Sequence, residues 1–165
     1  MKHLEKIYDK ILDEISLEKR LNLWRGEGKT IVFTNGCFDI LHRGHVEYLS
    51  KAADLGDKLI IGLNTDDSVK RLKGPSRPVN DEKARAILLS ALEFVDAVVF
   101  FEEDTPYNLI RRIQPDVLVK GKDYKVEDIV GYDIVTAKGG KVETIELVDG
   151  FSTTNILNQS SKPIL

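Results

Sequence analysis

Residues 30–45 read TIVFTNGCFDILHRGH, and this stretch predicts the fold of the whole chain. It begins with a β-branched and apolar run at 30–34, breaks at Asn35-Gly36, and continues into the start of an amphipathic segment. This order is typical of a buried parallel strand that leads through a glycine turn into a helix. We therefore expect an α/β domain with a ligand site at this junction.

The junction has the chemistry of a phosphate-binding site. The first amides of a helix lack intrahelical partners and lie at the positive end of the helix dipole, so an anion is favoured there. Gly36 and Gly44 let phosphate oxygens approach the backbone, while His42 and His45 add donors three residues apart. Hydrogen bonds from these histidines strengthen if the rings become charged beside a phosphate. We expect both rings to face one phosphorylated ligand.

Strand patterns alternate with helical patterns along the rest of the chain. After the first strand, strands are predicted at 58–63, 97–101, 117–119 and 142–148. The first predicted helix runs from about Val46 to a C′ glycine at Gly56, and the second begins after an N-cap at Asn80 or Asp81. A third begins at Thr105-Pro106, and a fourth covers 126–137. This alternation predicts right-handed βαβ units in a Rossmann-like, doubly wound, five-stranded parallel sheet.

Residues 1–28 are predicted to be a helical extension of a main domain at 29–165. The apolar residues that are spaced for one helical face are Leu4, Ile7, Tyr8, Ile11, Leu12 and Ile15, followed by a shorter stripe of Leu17, Leu21 and Trp24. Two interpretations stay open, because such a face either packs on the domain or forms a dimer interface.

Composition and charge limit the possible function classes. The 165 residues fit one domain, and 42% hydrophobic with 31% charged residues describe an ordinary globular protein. A net charge of -3 argues against binding to nucleic acid. The single cysteine, Cys37, allows no internal disulfide and fits a reducing compartment. Since no long apolar run or signal-peptide core occurs, we expect a cytoplasmic protein that does not enter a membrane.

Ligands of such a sheet bind beyond the carboxyl ends of its strands, which selects the loops at 64–80, 102–105, 120–124 and 149–155. The first of these contains LKGPSRP, with Lys73 and Arg77, and Arg85 follows on the next helix. A basic loop that closes over a substrate can supply charge to a transferring phosphate. Taken alone, these cations are equally compatible with a solvated surface.

Two further motifs lie in the selected loops. VKGKDY offers Lys120, Gly121 and Asp123, although an ordinary turn with surface charges has the same composition. GFSTTN, at 150–155, places hydroxyls and free amides at the start of the last helix, where they can hold phosphates or simply cap the helix.

A metal site or a covalent mechanism is poorly supported. H-x-x-H spacing can bind a metal, but no Cys, His or acidic pair nearby in the sequence completes a ligand set, and the remaining histidine is His3. We therefore predict no metal ligands from the protein. Cys37 is expected to be a small packing residue or to line a bound ligand rather than to act as a nucleophile.

The segment GCFDILHRGH resembles the signature of the HIGH-motif nucleotidyltransferase superfamily, which includes small cytidylyltransferases and class I aminoacyl-tRNA synthetases. The resemblance covers about 29–158, and GFSTTN is similar to the second signature of the family. It is closest to the adenylyltransferases that make ADP-heptose from D-glycero-β-D-manno-heptose 1-phosphate. Those enzymes are in many bacteria the C-terminal half of a bifunctional protein with a sugar kinase. Here we expect a free-standing form.

The resemblance implies roles for individual residues. The implied catalytic residues are His42, His45 and Lys73. The implied nucleotide-binding residues are Asn35, Gly36, Cys37, Phe38, Gly44, Lys120, Gly121, Asp123, Gly150, Ser152, Thr153 and Thr154. The implied substrate-binding residues are Asp39, which we also expect to brace the turn, Asn64, Arg77 and Arg85. The chain departs from the family at Asn155, where several members carry a cation, and at Leu147, where small cytidylyltransferases carry an arginine.

The resemblance implies adenylyl transfer from ATP, with Mg²⁺, to the sugar phosphate, in the supply of ADP-heptose for lipopolysaccharide or other surface glycans. Relatives are often dimers, so a homodimer is expected. Two alternatives stay open. One is a cytidylyltransferase for glycerol 3-phosphate, phosphoethanolamine or another phosphorylated small molecule, which the departure at Leu147 disfavours. The other is a nucleotide-binding module without catalytic activity.

Overall fold

The computed structural model of the chain describes residues 2–148 and 150–160. Its centre is a parallel sheet with the strand order β1-β4-β3-β2-β5-β6. The strands are β1 (Ile11–Leu12), β2 (Ile31–Gly36), β3 (Lys58–Asn64), β4 (Ala97–Phe101), β5 (Val117–Gly121) and β6 (Lys141–Ile145). Because β3 and β5 lie on opposite sides of β2, the strand order reverses at β2, and a crevice opens at its carboxyl end. The predicted doubly wound fold is confirmed, with six strands in place of five.

Helices cover both faces of this sheet. They are α1 (His3–Tyr8), α2 (Glu14–Gly26), α3 (Arg43–Ala53), α4 (Asp66–Lys73), α5 (Glu82–Ser90), α6 (Tyr107–Ile113), α7 (Tyr132–Ala137) and α8 (Thr153–Ser160). Short polar side chains fix three of the N-termini, since Asp13, Thr65 and Asp81 each accept a hydrogen bond from a backbone amide three residues later. None of the helices in the described segments is long and apolar enough to cross a membrane.

Strand β2 is apolar on both faces because it separates two hydrophobic layers. Ile31 and Phe33 belong to the cluster that includes residues of α2, α6 and α7. Val32 belongs to the other cluster, with residues of α3 and α5. The alternation of side chains along the strand therefore explains the continuous apolar run in the sequence.

The N-terminal segment differs from the predicted helix. Ile11 and Leu12 form β1 and pair in parallel with Val98 and Val99 of β4. Asp13 caps α2 from an extended conformation, so one helix cannot continue through this point. Leu17, Leu21 and Trp24 pack into the core, which favours the packing interpretation for that stripe. The division of the chain at residue 28 stays a prediction.

Other boundaries also differ from the sequence predictions. The 64–80 loop contains α4, and the predicted helix at 126–137 is a 3₁₀ turn, Val126–Asp128, followed by α7. The two are separated by Gly131, whose φ of 93° is incompatible with a continuous helix. Helix α3 ends at Ala53 with Asp54 in the right-handed conformation, so Gly56 is not a C′ glycine. Pro106 precedes α6 as its N-cap, and β6 ends at Ile145.

We expect Leu21→Ala to lower the free energy of unfolding by about 2–5 kcal/mol, because a buried leucine leaves a cavity. Leu21 has 0% of its surface exposed, whereas Leu23 on the same helix has 56% exposed. Leu23→Ala is the matched control and should change the free energy by less than about 0.5 kcal/mol. Urea denaturation measures both values. Equal effects would show that α2 is not part of the folded core.

Candidate active site

A cleft with two lobes opens at the carboxyl ends of the central strands. The first lobe has a volume of about 310 Å³ and the second about 610 Å³. Residues that line both lobes are Asn35, Gly36, Cys37, Phe38, His45, Lys120, Tyr124, Ser152 and Thr153. Most of the predicted site residues line one or both of these lobes, and His45, Lys120, Ser152 and Thr153 are among those found where the lobes meet.

The remaining lining residues give the lobes different chemistry. The first lobe adds His42, Gly44, Tyr48, Gly121, Asp123, Leu147, Val148 and Phe151. The second adds Asp39, Asn64, Leu72, Lys73, Arg77, Asp104, Thr105, Pro106, Asp128, Ile129, Val130 and Thr154. The residues found only in the first lobe are mostly aromatic, apolar or glycine, with Asp123 as the one carboxylate among them, whereas those found only in the second include two cations and three carboxylates.

The two histidines form a stacked pair at the N-terminus of α3. Their ring centroids are 3.7 Å apart with an interplanar angle of 21°. His42 is the N-cap residue, and its Nδ1 accepts a hydrogen bond of 3.4 Å from the amide of His45. In a neutral His42 ring this leaves the proton on Nε2, where it can be donated to a ligand. Phe38 packs edge-on against His45, with the ring centroids 5.1 Å apart.

Burial keeps both rings neutral near pH 7. Burial, and to a smaller extent the nearby His42, lowers the pKa of His45 to about 4, while the Ile40 backbone acts in the opposite direction. Burial also lowers the pKa of His42. His45 Nδ1 is buried without a hydrogen bond of ordinary geometry in the described part of the chain, although the Ile40 backbone is near enough to affect its pKa. A phosphate at this position would raise both pKa values because it favours the charged rings.

Tyr48 connects α3 to the two strands beside the first lobe. Thr34 Oγ1 donates to the carbonyl of Val119 over 3.0 Å, so it accepts the hydrogen bond from the Tyr48 hydroxyl 2.8 Å away. Burial raises the pKa of Tyr48 to about 12. The hydroxyl therefore stays protonated and helps to fix the position of α3, which carries the histidine pair, relative to β2 and β5.

Lys120 is the residue before the last of β5, and its ammonium group forms no ion pair with the described residues. Its side chain makes no ion pair or hydrogen bond among residues 2–148 and 150–160, and its Nζ lies 5.7 Å from the ring centroid of Tyr124. Burial lowers the pKa of Lys120, while Asp123 raises it. A partly desolvated ammonium without a counterion favours an anionic ligand. Lys120 is thus well placed to neutralise a phosphate that lies between the lobes.

Asp39 braces the turn that follows β2. Its carboxylate has 2% of its surface exposed and accepts hydrogen bonds from Arg77 Nε at 2.6 Å, Val79 N at 2.8 Å and Asn80 N at 3.0 Å. These bonds occupy both carboxylate oxygens. The bracing role expected for Asp39 fits this geometry, and a direct substrate contact does not. Arg77 borders the second lobe, but its guanidinium forms an ion pair with the Asp39 carboxylate.

Arg85 does not reach the cleft, because 0% of its surface is exposed. Its guanidinium donates to the carbonyls of Cys37 at 2.7 Å, Asn64 at 2.9 Å and Asn80 at 3.1 Å. A further bond of 2.8 Å joins it to the Asp66 carboxylate. The predicted substrate contact of Arg85 is therefore wrong, and its role is to hold the loops around the cleft. Asn64 borders the second lobe, with its amide bonded to Ser68 Oγ.

Lys73 is the last residue of α4 and stands exposed at the edge of the second lobe. Burial raises the pKa of the Cys37 thiol, and the charge of Lys73 is the largest effect that opposes this shift. Lys73 therefore lies close enough to Cys37 to act on a ligand at the floor of the cleft. A protonated thiol fits the predicted lining role of Cys37 rather than nucleophilic attack.

The serine-threonine run caps the last helix and also borders the cleft, while the phosphate contact expected from its sequence stays a prediction. Ser152 Oγ accepts a hydrogen bond of 3.1 Å from the amide of Asn155, as a helix cap does. Ser152 and Thr153 also line both lobes, and Thr154 lines the second. Gly150 lines neither lobe, and its carbonyl accepts a bond from the Asn155 side chain, so the nucleotide contact predicted for Gly150 lacks support. Asp149, within the selected 149–155 loop, lies outside the described residues.

Several lining residues had no signal in the sequence. Tyr48 follows the histidine pair by one helical turn but has the spacing of a core residue. Leu147 and Val148 were assigned to the last strand, and 128–130 to a helix. The early end of β6 and the 3₁₀ turn are what bring these residues to the cleft.

Comparison with known proteins places the chain in a family. The model of the family described as cytidylyltransferase-like matches residues 33–160. The chain is 58% identical over 144 residues to the bifunctional protein HldE of Nitrobacter hamburgensis, which covers 87% of this chain and 29% of that protein. It is 56% identical over 160 residues to HldE of Syntrophotalea carbinolica, which covers 96% of this chain and 33% of that protein. The chain thus spans about a third of the length of these relatives.

Two solved structures are similar in fold. One is the lipopolysaccharide core biosynthesis protein from Thermoplasma volcanium, with a TM-score of 0.60, 30% identity, and coverage of 73% of this chain and 98% of the other. The second is pantoate-β-alanine ligase from Francisella tularensis, with a TM-score of 0.54, 14% identity, and coverage of 89% and 75%. At 14% identity, the second similarity shows the fold alone.

We expect Arg85→Met to lower the free energy of unfolding by about 3–5 kcal/mol, because three backbone carbonyls and a carboxylate lose their donor. Lys83→Met is the matched control, since Lys83 lies exposed on the same helix. This control should change the free energy by about 0.5 kcal/mol or less. Chemical denaturation compares the two variants, and equal midpoints would refute the structural role of Arg85.

The histidine pair predicts a characteristic titration by NMR. The His45 ring should titrate near pH 4 and the His42 ring below its ordinary value of 6.5, and pyrophosphate should raise both midpoints. Because the folded state disfavours protonated His45, its contribution to stability is present above pH 6.5 and is lost as the pH falls towards 4. A His45 midpoint that stays at 6.5, with or without pyrophosphate, would contradict the buried, neutral pair.

Proposed function

Because the chain belongs to the cytidylyltransferase-like family of nucleotidyltransferases, we propose that it transfers the adenylyl group of ATP to D-glycero-β-D-manno-heptose 1-phosphate. The products are ADP-heptose and pyrophosphate. The observation that carries this proposal is the stacked His42–His45 pair at a helix N-terminus where two lobes of one cleft meet. The choice of adenine and heptose is supported by the resemblance to ADP-heptose-forming enzymes and by the 56–58% identity to the HldE proteins.

The two lobes suit the two substrates. Leu147, Phe151 and Tyr48 give the first lobe the apolar and aromatic surface that a nucleotide base and ribose require. Lys73 and Arg77 give the second lobe the charge that an acceptor phosphate requires. In this arrangement the triphosphate runs from the first lobe to the junction, where the acceptor phosphate meets it.

The chemistry follows from this placement. An oxygen of the sugar 1-phosphate forms a bond to the α-phosphorus of ATP while the bond from that phosphorus to the β-phosphate oxygen breaks in line. The second pKa of a phosphate monoester is about 6, so the acceptor is an anion at pH 7 and needs no general base. The protein therefore acts by positioning the two phosphates and by stabilising charge. His45 and Lys120 border both lobes and can carry positive charge towards phosphates that meet there.

We propose that Mg²⁺ enters bound to ATP. The described residues contain no group of three or more His, Cys, Asp or Glu that could hold a metal ion. Mg²⁺ in nucleotide sites is held largely by substrate phosphates and water, so the residues present fit an ion carried by the triphosphate. When bound, it neutralises charge on the departing pyrophosphate. The homodimer and the cytoplasmic location expected from the sequence stay predictions.

Cytidylyl transfer is the second candidate, since the matching family is described as cytidylyltransferase-like. The first lobe is bordered by Leu147 at the position where small cytidylyltransferases carry an arginine, and this favours the adenylyl reaction. Pyrophosphate release separates the two reactions. We expect release, in the presence of Mg²⁺, with ATP and heptose 1-phosphate, and none with CTP or with glycerol 3-phosphate as the acceptor. Release with CTP alone would overturn the choice of base.

We expect His45→Ala to lower kcat by about a hundredfold or more, because one preorganised donor to the transferring phosphate is lost. His3→Ala is the control, since His3 lies exposed on α1, and it should retain full activity. A melting curve for each variant verifies folding. Near-normal turnover by a folded His45→Ala protein would contradict the proposed role of the pair.

A further inference from the structure

Three carboxylates line the second lobe, and they differ in how they are paired. Asp39 is bound by Arg77 and two backbone amides. Asp104 forms an ion pair of 3.0 Å with Arg71. The Asp128 carboxylate makes no hydrogen bond or ion pair with any residue in 2–148 or 150–160. Asp128 is thus the carboxylate of the second lobe whose oxygens accept no hydrogen bond from the described residues.

Asp128 is held by a packed turn rather than by a loose loop. It ends the 3₁₀ turn, and the next residue, Ile129, has 3% of its surface exposed and packs in the core cluster with Ile110. The amide of Ile129 donates to the Val126 carbonyl, and the Ile129 carbonyl accepts from the Tyr132 amide. The backbone on both sides is therefore fixed, and the carboxylate is presented at the lobe surface from a rigid base.

A carboxylate at this place is selective for the chemistry of its ligand. Ionised carboxylates only accept hydrogen bonds, and they repel phosphate. An acceptor molecule is therefore favoured beside Asp128 if it brings hydrogen-bond donors, such as hydroxyl groups, while its phosphate lies near the cations Lys73 and Arg77. A sugar phosphate has both parts, and the second lobe, at about 610 Å³, has room for a sugar.

We propose that Asp128 determines acceptor specificity by accepting hydrogen bonds from the hydroxyl groups of a polyhydroxylated sugar phosphate. This inference rests on the proposed function, because it assigns the second lobe to the acceptor. It names a residue that separates sugar phosphates from ligands that offer a phosphate alone.

The test compares Asp128→Asn with Glu127→Gln. Both variants remove one negative charge from an exposed residue of the same 3₁₀ turn, but Glu127 lines neither lobe. Loss of a hydrogen bond to a charged acceptor should raise KM for heptose 1-phosphate by about tenfold or more in Asp128→Asn. KM for ATP should stay unchanged, as should both constants in Glu127→Gln. Inorganic phosphate, tested as a competitive inhibitor, should bind Asp128→Asn at least as tightly as the wild type.

The possible outcomes are distinct. If the wild type is active and KM for heptose 1-phosphate is the same in both variants, the role of Asp128 is overturned and the proposed function stands. An equal rise in KM for ATP would likewise overturn it. If the wild type releases no pyrophosphate, calorimetric binding of heptose 1-phosphate decides, and weaker binding to Asp128→Asn alone supports Asp128. A wild type that does not bind the sugar phosphate overturns both proposals.

Discussion

The buried guanidinium of Arg85 is the interaction on which the shape of the cleft depends. It donates hydrogen bonds to acceptors in the turn after β2, at the end of β3, at the start of α4 and in the segment before α5. Backbone carbonyls at the ends of parallel strands would otherwise present partial negative charge near the ligand site. Because Arg85 binds those of Cys37 and Asn64, they do not oppose the entry of phosphates. The ion pair of Asp39 with Arg77 likewise connects the turn after β2 to the loop before α5.

The cleft contains three side chains that an anionic ligand would stabilise in their charged forms. His42 and His45 are kept neutral by burial, and Lys120 forms no ion pair with the described residues, although Asp123 is near enough to raise its pKa. Each of these groups gains by contact with a phosphate, through a raised pKa in the histidines and through charge pairing in the lysine. The meeting point of the two lobes is therefore a place where the negative charge of a bound phosphate would be stabilised.

The sequence predicted those parts of the structure that depend on strong local patterns. Strands β2 to β5 are rich in apolar residues, and the glycine turn with two histidines predicted the position of the cleft. Phosphate binding there stays a prediction. Strand β1 was missed because two residues are too short to show a period, and they fell within a longer helical spacing. Helix α4 was missed because it is mostly polar, with Val69 as its buried apolar residue.

Roles that depend on long-range packing could not be predicted in this way. An arginine on a helix has the same sequence pattern whether it is buried or exposed, so Arg85 was assigned to the substrate. Asp128 reaches the cleft only because Gly131 interrupts the predicted helix. Tyr48 looked like a core residue, and it is one, but its hydroxyl also bonds to Thr34 beside the first lobe.

The most direct test of the account is a crystal structure with Mg²⁺ and an ATP analogue whose bond between the α- and β-phosphates cannot be cleaved. The account predicts the base and ribose in the first lobe, bordered by Leu147 and Phe151, with the α-phosphate between the His42–His45 pair and Lys120. A nucleotide that lies in the second lobe, or whose phosphates point away from the histidine pair, would contradict it.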